Sequence, residues 1–235
     1  MCKKLFTKKE IYKLFIKKET CKKQDIYSQF IMYKIGITGS IGTGKTTIAN
    51  IFALFNIPIF DADREIKKIL GKKEIKQKLK NLWPLIVKKD QIDKLKLREI
   101  IFSNNTEKNK LEKLLYPYLE IELKIFEAAN DKKNILVYDV PLIYETKTEK
   151  RYDKILLAHC NKKIQKERVL TRDNISISLF EKILASQLSF DDKIKFKPQV
   201  INTKNKFFVL IKVCLLLIKI LIRLKLKNGK KKINT

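Results

Sequence analysis

The sequence predicts an α/β fold in which a parallel β-sheet is flanked by helices. An apolar stretch at 33–38 leads through a glycine-rich turn into residues 46–55, whose apolar positions recur at helical spacing. Two further apolar stretches, 57–60 and 135–138, are each followed directly by a carboxylate, and a fourth strand is predicted at 153–158. Strands that alternate with helices usually form one parallel sheet, with the carboxyl ends of the strands facing the ligand.

The turn after the first strand matches the phosphate-binding loop. Residues 39–46 fit the pattern G-x-x-x-x-G-K-[ST], and four of the six glycines in the chain lie between positions 36 and 44. Such a loop points backbone N–H groups at phosphate oxygens, and the helix after it adds the positive end of its dipole. The sheet is therefore expected to be of the P-loop NTPase type, with a nucleoside triphosphate as ligand. The residues expected to contact it are Gly39, Ser40, Ile41, Gly42, Thr43, Gly44, Lys45, Thr46 and Thr47.

Side chains near this loop predict magnesium-dependent phosphoryl transfer. Lys45 is expected to reach the outer phosphates, and the Thr46 hydroxyl is expected to ligate Mg²⁺. Asp139, which ends the third strand, is expected to act on the metal through a coordinated water. Asp61 and Asp63 follow the second strand, where one can accept a proton from the acceptor hydroxyl and one can help to hold Mg²⁺. The alternative for Asp63 is a structural N-cap of the helical run at 64–70.

A helix at 162–171 predicts a lid that clamps phosphates. Only six of the 53 basic residues are arginines, and two of them, Arg168 and Arg172, share one helix face with Gln165. The planar guanidinium grips phosphate with two parallel hydrogen bonds, which lysine cannot reproduce. The alternative is an ordinary solvated helix face.

Residues 74–130 are predicted to be mostly helical, with a kink or break at Pro117. This region carries no second phosphate loop, so we expect a cap over the acceptor substrate. A plain helical packing layer explains the same apolar spacing.

The distribution of charge argues against a nucleic-acid-binding function. The net charge is +28, but residues 1–31 carry +6 and residues 207–235 carry +8, so half of it lies outside residues 32–206. The rest is scattered lysine, and no nucleic-acid partner is expected. The four cysteines are far apart and form no C-x-x-C pair, which is typical of a reducing cytoplasm. We therefore expect a cytoplasmic protein.

The two ends of the chain are predicted to lie outside the catalytic domain. Residues 1–31 are a lysine-rich extension without the apolar core of a signal peptide. Residues 207–235 are apolar and basic, and no uninterrupted apolar run there exceeds about six residues, too few for a membrane span. We expect a helix that docks on the core, because its apolar residues cover a wide arc. Contact with a membrane surface is the alternative.

Six ordered motifs between residues 32 and 203 resemble those of the dephospho-CoA kinase family. Any nucleotide kinase can show the phosphate-binding loop, but the set is specific to this family. The motifs are GITGSIGTGKTT from Gly36, FDAD from Phe60, LREIIFSN from Leu97, DVPLIYE from Asp139, Gln165-x-x-Arg168-x-x-x-Arg172 and Ile183-x-x-x-Gln187.

The resemblance implies transfer of the γ-phosphoryl group of ATP to the ribose 3′-hydroxyl of dephospho-CoA, with Mg²⁺ as cofactor. It implies a kinase domain over 32–206, with an acceptor-binding insert at about 80–130 and a lid at about 165–180. By position, Asp63 matches the family's base, Lys45 and Thr46 match its phosphate and Mg²⁺ contacts, and Arg168 and Arg172 match its lid arginines.

Two positions depart from the family pattern, and two other functions stay open. Tyr116-Pro117 stands where the family usually has His-Pro, and Lys197-Pro198 stands where it usually has Ala-Asp. Neither position belongs to the phosphoryl-transfer centre. The open alternatives are another small-molecule or nucleotide kinase, and a P-loop NTPase that acts on nucleic acid or at a membrane.

Overall fold

Five parallel strands form the central sheet. The computed structural model describes residues 32–88, 91–173 and 175–233, so the extension predicted at 1–31 lies outside the described residues. The strand order is β2-β5-β1-β6-β7, and every pairing is parallel. The strands are β1 (Tyr33–Thr38), β2 (Ile59–Asp61), β5 (Ile135–Asp139), β6 (Lys154–His159) and β7 (Gln199–Asn202). The predicted P-loop NTPase-type sheet is confirmed.

Helices cover both faces of this sheet. Side chains alternate along a strand, so β5 contributes Ile135 and Val137 to one apolar core and Leu136 and Tyr138 to the other. The first core is closed by α1 (Lys45–Leu54) and by the C-terminal helix. The second is closed by α5 (Asn105–Ala129), whose Phe126 packs edge-on against Tyr138. Burial on both faces explains why the strands are almost continuously apolar.

A second group of helices surrounds its own small core. The apolar residues Ile69, Ile75, Leu79, Ile86, Leu97, Leu111 and Leu115 are all buried together there. They come from α2 (Ala62–Leu70), α3 (Lys73–Leu82), the 3₁₀ turn Pro84–Ile86, α4 (Lys94–Ser103) and α5.

Two local predictions for this region are corrected. It contains an antiparallel pair, β3 (Val87–Lys88) with β4 (Gln91–Ile92), which the helical prediction missed. Of the predicted kink or break at Pro117, the break is wrong, because α5 runs through that residue as one helix. Proline removes one backbone hydrogen bond, and the apolar contacts of Leu111 and Leu115 on the same helix offset that loss.

Three helices follow β6 on the side of the phosphate-binding loop. They are α6 (Lys162–Asp173), α7 (Ile177–Ala185) and α8 (Phe190–Ile194). Val169 of α6 packs with Phe180 and Ile183 of α7, and Phe102 of α4 joins the same apolar cluster. The region expected to form the lid therefore also contacts the helical group around Ile75 and Leu79.

The C-terminal helix α9 (Lys206–Ile233) docks on the sheet. Its inner face consists of Val209, Val213, Leu216, Leu217, Ile220 and Leu224, all buried in the first core. The expected docking is confirmed, but the expected burial of a wide arc is wrong, because the opposite side of the helix is exposed. In the described part of the chain no helix is long and apolar enough to cross a membrane.

Candidate active site

The loop between β1 and α1 has the backbone shape that phosphate binding requires. Gly42 and Gly44 have φ values of 76° and 90°, which residues other than glycine rarely adopt. A Cβ at Gly42 would lie 2.4 Å from Val169 Cγ2, so α6 can approach the loop only because residue 42 is glycine. The first turn of α1 has no side-chain cap and no acidic residue. Its backbone N–H groups and dipole are therefore not neutralised by the side chains of that turn, which favours an anion at this end.

Lys45 lies folded back on the loop. Its Nζ donates to the backbone oxygen of Gly39 at 2.9 Å, and the Ser40 oxygen lies at 3.4 Å. Burial lowers the pKa of Lys45, and the carboxylates of Asp139 and Asp63 oppose that shift. The ammonium group is thus held among loop carbonyls and carboxylates and can exchange the carbonyls for phosphate oxygens.

Two carboxylates, Asp139 and Asp63, act on this lysine, and a third, Asp61, lies beside Asp139. Asp139 is paired in register with Asp61 of β2 and with Ile37 of β1, so the two aspartates end neighbouring strands at the same edge. Oδ1 of Asp139 is buried and accepts no hydrogen bond from the described residues. Burial raises the pKa of Asp139 to about 7; Lys45 lowers it, and Asp63 and Asp61 raise it further.

The helix after β2 distinguishes the two aspartates of the Asp-Ala-Asp sequence. Asp61 is the N-cap, and its Oδ1 accepts from the backbone N–H of Arg64 at 2.9 Å. The alternative that Asp63 is this cap is therefore wrong: α2 begins at Ala62, two residues before the predicted start. Asp63 lies in the first turn with its side chain exposed, and its charge acts on Lys45, Asp139 and Arg172.

The two predicted lid arginines differ in their surroundings. Arg168 is partly buried and donates to the hydroxyl and the backbone oxygen of Thr203, at 3.1 Å and 2.9 Å. Arg172 is exposed and forms two hydrogen bonds with the carboxylate of its neighbour Asp173, at 2.9 Å and 2.8 Å. The expected face is present on α6, but only Arg172 extends toward the aspartates.

Two glutamines hold the tip of the loop. The Ile41 oxygen accepts from Gln165 Nε2 at 2.6 Å, and the Ile41 N–H donates to Gln187 Oε1 at 3.1 Å. The Ile41 amide is therefore engaged with protein and is not directed at a ligand, unlike the expectation for a phosphate contact. Both glutamines belong to the motifs of the sequence, but their spacing does not indicate that they bind the loop.

Thr203 is a site residue that the sequence did not indicate. It is buried, and its hydroxyl donates to the Thr43 backbone oxygen at 2.6 Å. The same hydroxyl accepts from Arg168, so α6, the end of β7 and the loop are joined. A Cβ at Gly44 would lie 2.7 Å from this hydroxyl oxygen, which explains the glycine there.

A buried ion pair lies behind the loop. Lys193 of α8 is fully buried, and its Nζ lies 2.9 Å from Oε1 of Glu145, which also accepts from the backbone N–H of Leu188 at 2.9 Å. Lys193 is close enough to Lys45 for its positive charge to lower the pKa of Lys45. This pair fixes the segment between Gln187 and α8 against the loop that follows β5.

Comparison with known proteins shows the family to which the chain is similar. Residues 33–208 match the family described as dephospho-CoA kinase. The chain is 33% identical to a dephospho-CoA kinase of Fusobacterium nucleatum over 175 residues, covering 73% of this chain and 89% of that protein. It is 36% identical to one of Prochlorococcus marinus over 183 residues, covering 74% and 89%.

Solved structures show the same fold. A protein of Thermus thermophilus superposes with a TM-score of 0.68 at 26% identity, covering 80% of this chain and 96% of that one. The dephospho-CoA kinase of Campylobacter jejuni superposes with a TM-score of 0.56 at 25% identity, with the same coverage. The match spans β1 to the start of α9 and includes every residue of the site described above. This chain belongs to the dephospho-CoA kinase family.

Proposed function

We infer that this protein phosphorylates dephospho-CoA with ATP, giving coenzyme A and ADP. The inference depends on one observation: the family match over residues 33–208 includes a phosphate-binding loop whose lysine lies beside the carboxylates of Asp139 and Asp63. A phosphate-binding loop alone allows many acceptors, whereas the family match specifies this acceptor.

ATP is proposed to bind with its outer phosphates at the uncapped start of α1. The residues proposed to contact it are Gly39, Ser40, Ile41, Gly42, Thr43, Gly44, Lys45, Thr46 and Thr47, with Ile41 contributing shape because its own amide is bound to the glutamines. Lys45 would exchange the Gly39 carbonyl for phosphate oxygens, a movement that requires only its side chain.

Mg²⁺ is proposed to be held by the Thr46 hydroxyl and, through a water molecule, by Asp139. The residues fit the ion: Thr46 is exposed at the start of α1, and Asp139 offers a buried oxygen that no described donor engages. Oxygen donors near a concentration of negative charge are what Mg²⁺ prefers. When bound, the ion neutralises charge on the phosphate oxygens during transfer.

Asp63 is proposed to orient the 3′-hydroxyl and to accept its proton. The exposed side chain, in the first turn of α2, is free from the capping role that Asp61 performs. Phosphoryl transfer passes through a loose transition state, so the 3′-hydroxyl loses its proton late in the reaction. Correct positioning therefore contributes most of the rate.

Arg168 and Arg172 are proposed to stabilise the transferred phosphoryl group in different ways. Arg172 would release Asp173 and turn to the phosphates, because its side chain is exposed and its charge already acts on Asp63. Arg168 would act from its present position, where Thr203 orients the guanidinium beside the loop.

The test is a direct assay with the full chain. Purified protein is incubated with Mg-ATP and dephospho-CoA, and the products are analysed by mass spectrometry. We expect coenzyme A and ADP in equal amounts. Activity with other small-molecule acceptors and not with dephospho-CoA would indicate a different kinase. ATP hydrolysis that depends on RNA, DNA or lipid vesicles would indicate an NTPase of another class.

A further inference from the structure

The C-terminal helix has a second apolar face that points away from the protein. The outer face is defined by Phe208, Ile211, Leu215, Ile218, Leu221 and Ile222. Each of these side chains is between 39% and 60% exposed, although each has the size and character of a core residue. Single exposed apolar residues are common on protein surfaces, but a contiguous row along one helix marks a binding surface.

The two apolar faces of α9 lie on opposite sides of one helix. At 100° per residue, the inner face is centred about 175° away from the outer face. The inner face is already buried against α1 and the sheet. Docking on the core therefore leaves the outer face uncovered by the described residues. The folding of the kinase domain does not explain why this face is apolar.

Basic residues border the outer face on one side. Lys212, Lys219 and Arg223 lie within about 40° of one another, roughly 95° from the middle of the outer face. All three are exposed, and Arg223 also hydrogen-bonds to Tyr33. Lys225 lies within the outer face itself, and its four-carbon stem allows the ammonium group to reach the polar boundary. Bases at this angle lie level with the headgroups when the apolar face enters the acyl region of a bilayer.

We propose that the outer face of α9 binds the surface of anionic membranes, with the helix lying flat in the headgroup layer. The charge of the helix identifies what binds to this outer face. Residues 207–235 contain eight bases and no acidic residue, so pairing with α9 of a second copy would bring like charges together. An anionic lipid surface offers a partner for each of the two features of the helix. Its acyl chains can contact the apolar row, and its phosphates can bind the bases. Because no described helix can cross a bilayer, the contact is peripheral.

The proposal leaves the catalytic machinery in place. The residues of the outer face are exposed and are not among the residues of the site described above, so their replacement is expected to leave phosphoryl transfer in solution unchanged. Lipid binding and kinase activity can therefore fail independently. Membrane contact was the alternative interpretation of this segment from sequence, and the structure shows that it is compatible with docking on the core.

The experiment is flotation of the full chain with lipid vesicles. One set is phosphatidylcholine, and the other contains about one third phosphatidylglycerol. We expect binding to the anionic set, weakened by salt, and little binding to the neutral set. The triple variant Leu215→Gln, Ile218→Gln, Ile222→Gln keeps the charge and should bind at least about tenfold more weakly. Its unchanged kinase activity in solution would show that it is folded.

Matched variants separate lipid binding from simple adsorption of a basic protein. Leu82→Gln, Leu85→Gln, Leu95→Gln removes three exposed apolar side chains from the helical group around Ile75 and Leu79 and should bind as the parent does. Lys212→Gln, Lys219→Gln should lose much of the preference for anionic vesicles. If the outer-face variant binds vesicles as tightly as the parent, the contact is purely electrostatic and the proposal is wrong. The proposal is equally wrong if sedimentation shows a dimer that this variant converts to monomer.

Discussion

The substitution Asp139→Asn is expected to stabilise the metal-free protein above neutral pH while abolishing activity. The carboxyl is buried, and its Oδ1 has no hydrogen-bond donor among the described residues. Burial raises its pKa from the ordinary 3.8 to about 7. The folded chain therefore keeps this proton over a pH range in which the unfolded chain has lost it.

The sign and size of the effect follow from proton linkage. Between about pH 4 and 7 the folded state binds more protons at Asp139, so the stability of the parent falls as the pH rises. A difference of about three pH units corresponds to about 4 kcal/mol at and above pH 7. Asparagine avoids this cost but places an amide in the same site, which costs about 1–3 kcal/mol if it is unsatisfied. We expect the variant to be more stable by about 1–3 kcal/mol at pH 8 and less stable by about 1–3 kcal/mol near pH 4, where only the cost of the amide remains.

Urea unfolding followed by circular dichroism, in the presence of a chelator and at a series of pH values, measures this difference. Each kcal/mol should also raise the melting temperature by about 2–4 °C for a chain of this size. The control is Asp131→Asn, an exposed carboxylate in the loop before β5, which should leave the curve unchanged. If the stability of Asp139→Asn shows the same pH dependence as that of the parent, then Asp139 is ionised without cost and our reasoning about its burial fails.

Five further substitutions test the remaining roles by activity and stability. Lys45→Ala should abolish coenzyme A formation with a normal melting temperature, and unchanged turnover would exclude the phosphate role. Asp63→Asn should lower kcat by about a hundredfold or more with little change in the KM for ATP; a loss seen only as melting would mean that its role is structural. Arg168→Lys and Arg172→Lys should each slow transfer although the charge is kept, and full activity in both would contradict their phosphate contacts. Lys193→Met should destabilise the fold by about 3–5 kcal/mol, because it leaves a carboxylate buried without its partner; a normal urea midpoint would contradict that pairing.

The fold and the phosphate-binding loop could largely be predicted because their signals are local. The first strand was predicted at its observed bounds, and the glycine-rich loop needs φ values that almost only glycine adopts. Errors occurred where two local explanations competed. Both Asp61 and Asp63 precede helical residues and can act as caps, and only the observed start of α2 shows that Asp61 is the one.

The supports of the loop could not be predicted, because they are contacts between distant parts of the chain. Gln165 and Gln187 are 124 and 146 residues from Ile41, which they hold. Thr203 is 160 residues from Thr43 and lies in a stretch without a recognisable motif. Hydrophobic periodicity also failed to show how α9 divides its apolar surface, because a helix with two apolar faces and a helix buried all round have similar sequences.

These supports bear on which part of the predicted lid can move. Gln165 and Arg168 lie one turn apart on α6; Gln165 holds Ile41, while Arg168 holds Thr203, which in turn holds Thr43. Two points of attachment fix the first two turns of α6 to the loop, so closure over the phosphates cannot rotate this part of the helix without breaking both. Arg172 lies beyond the attachment and is exposed. Closure is therefore expected to involve the end of α6 and α7, with Arg172 as the group that travels and Arg168 as the group that is already in position.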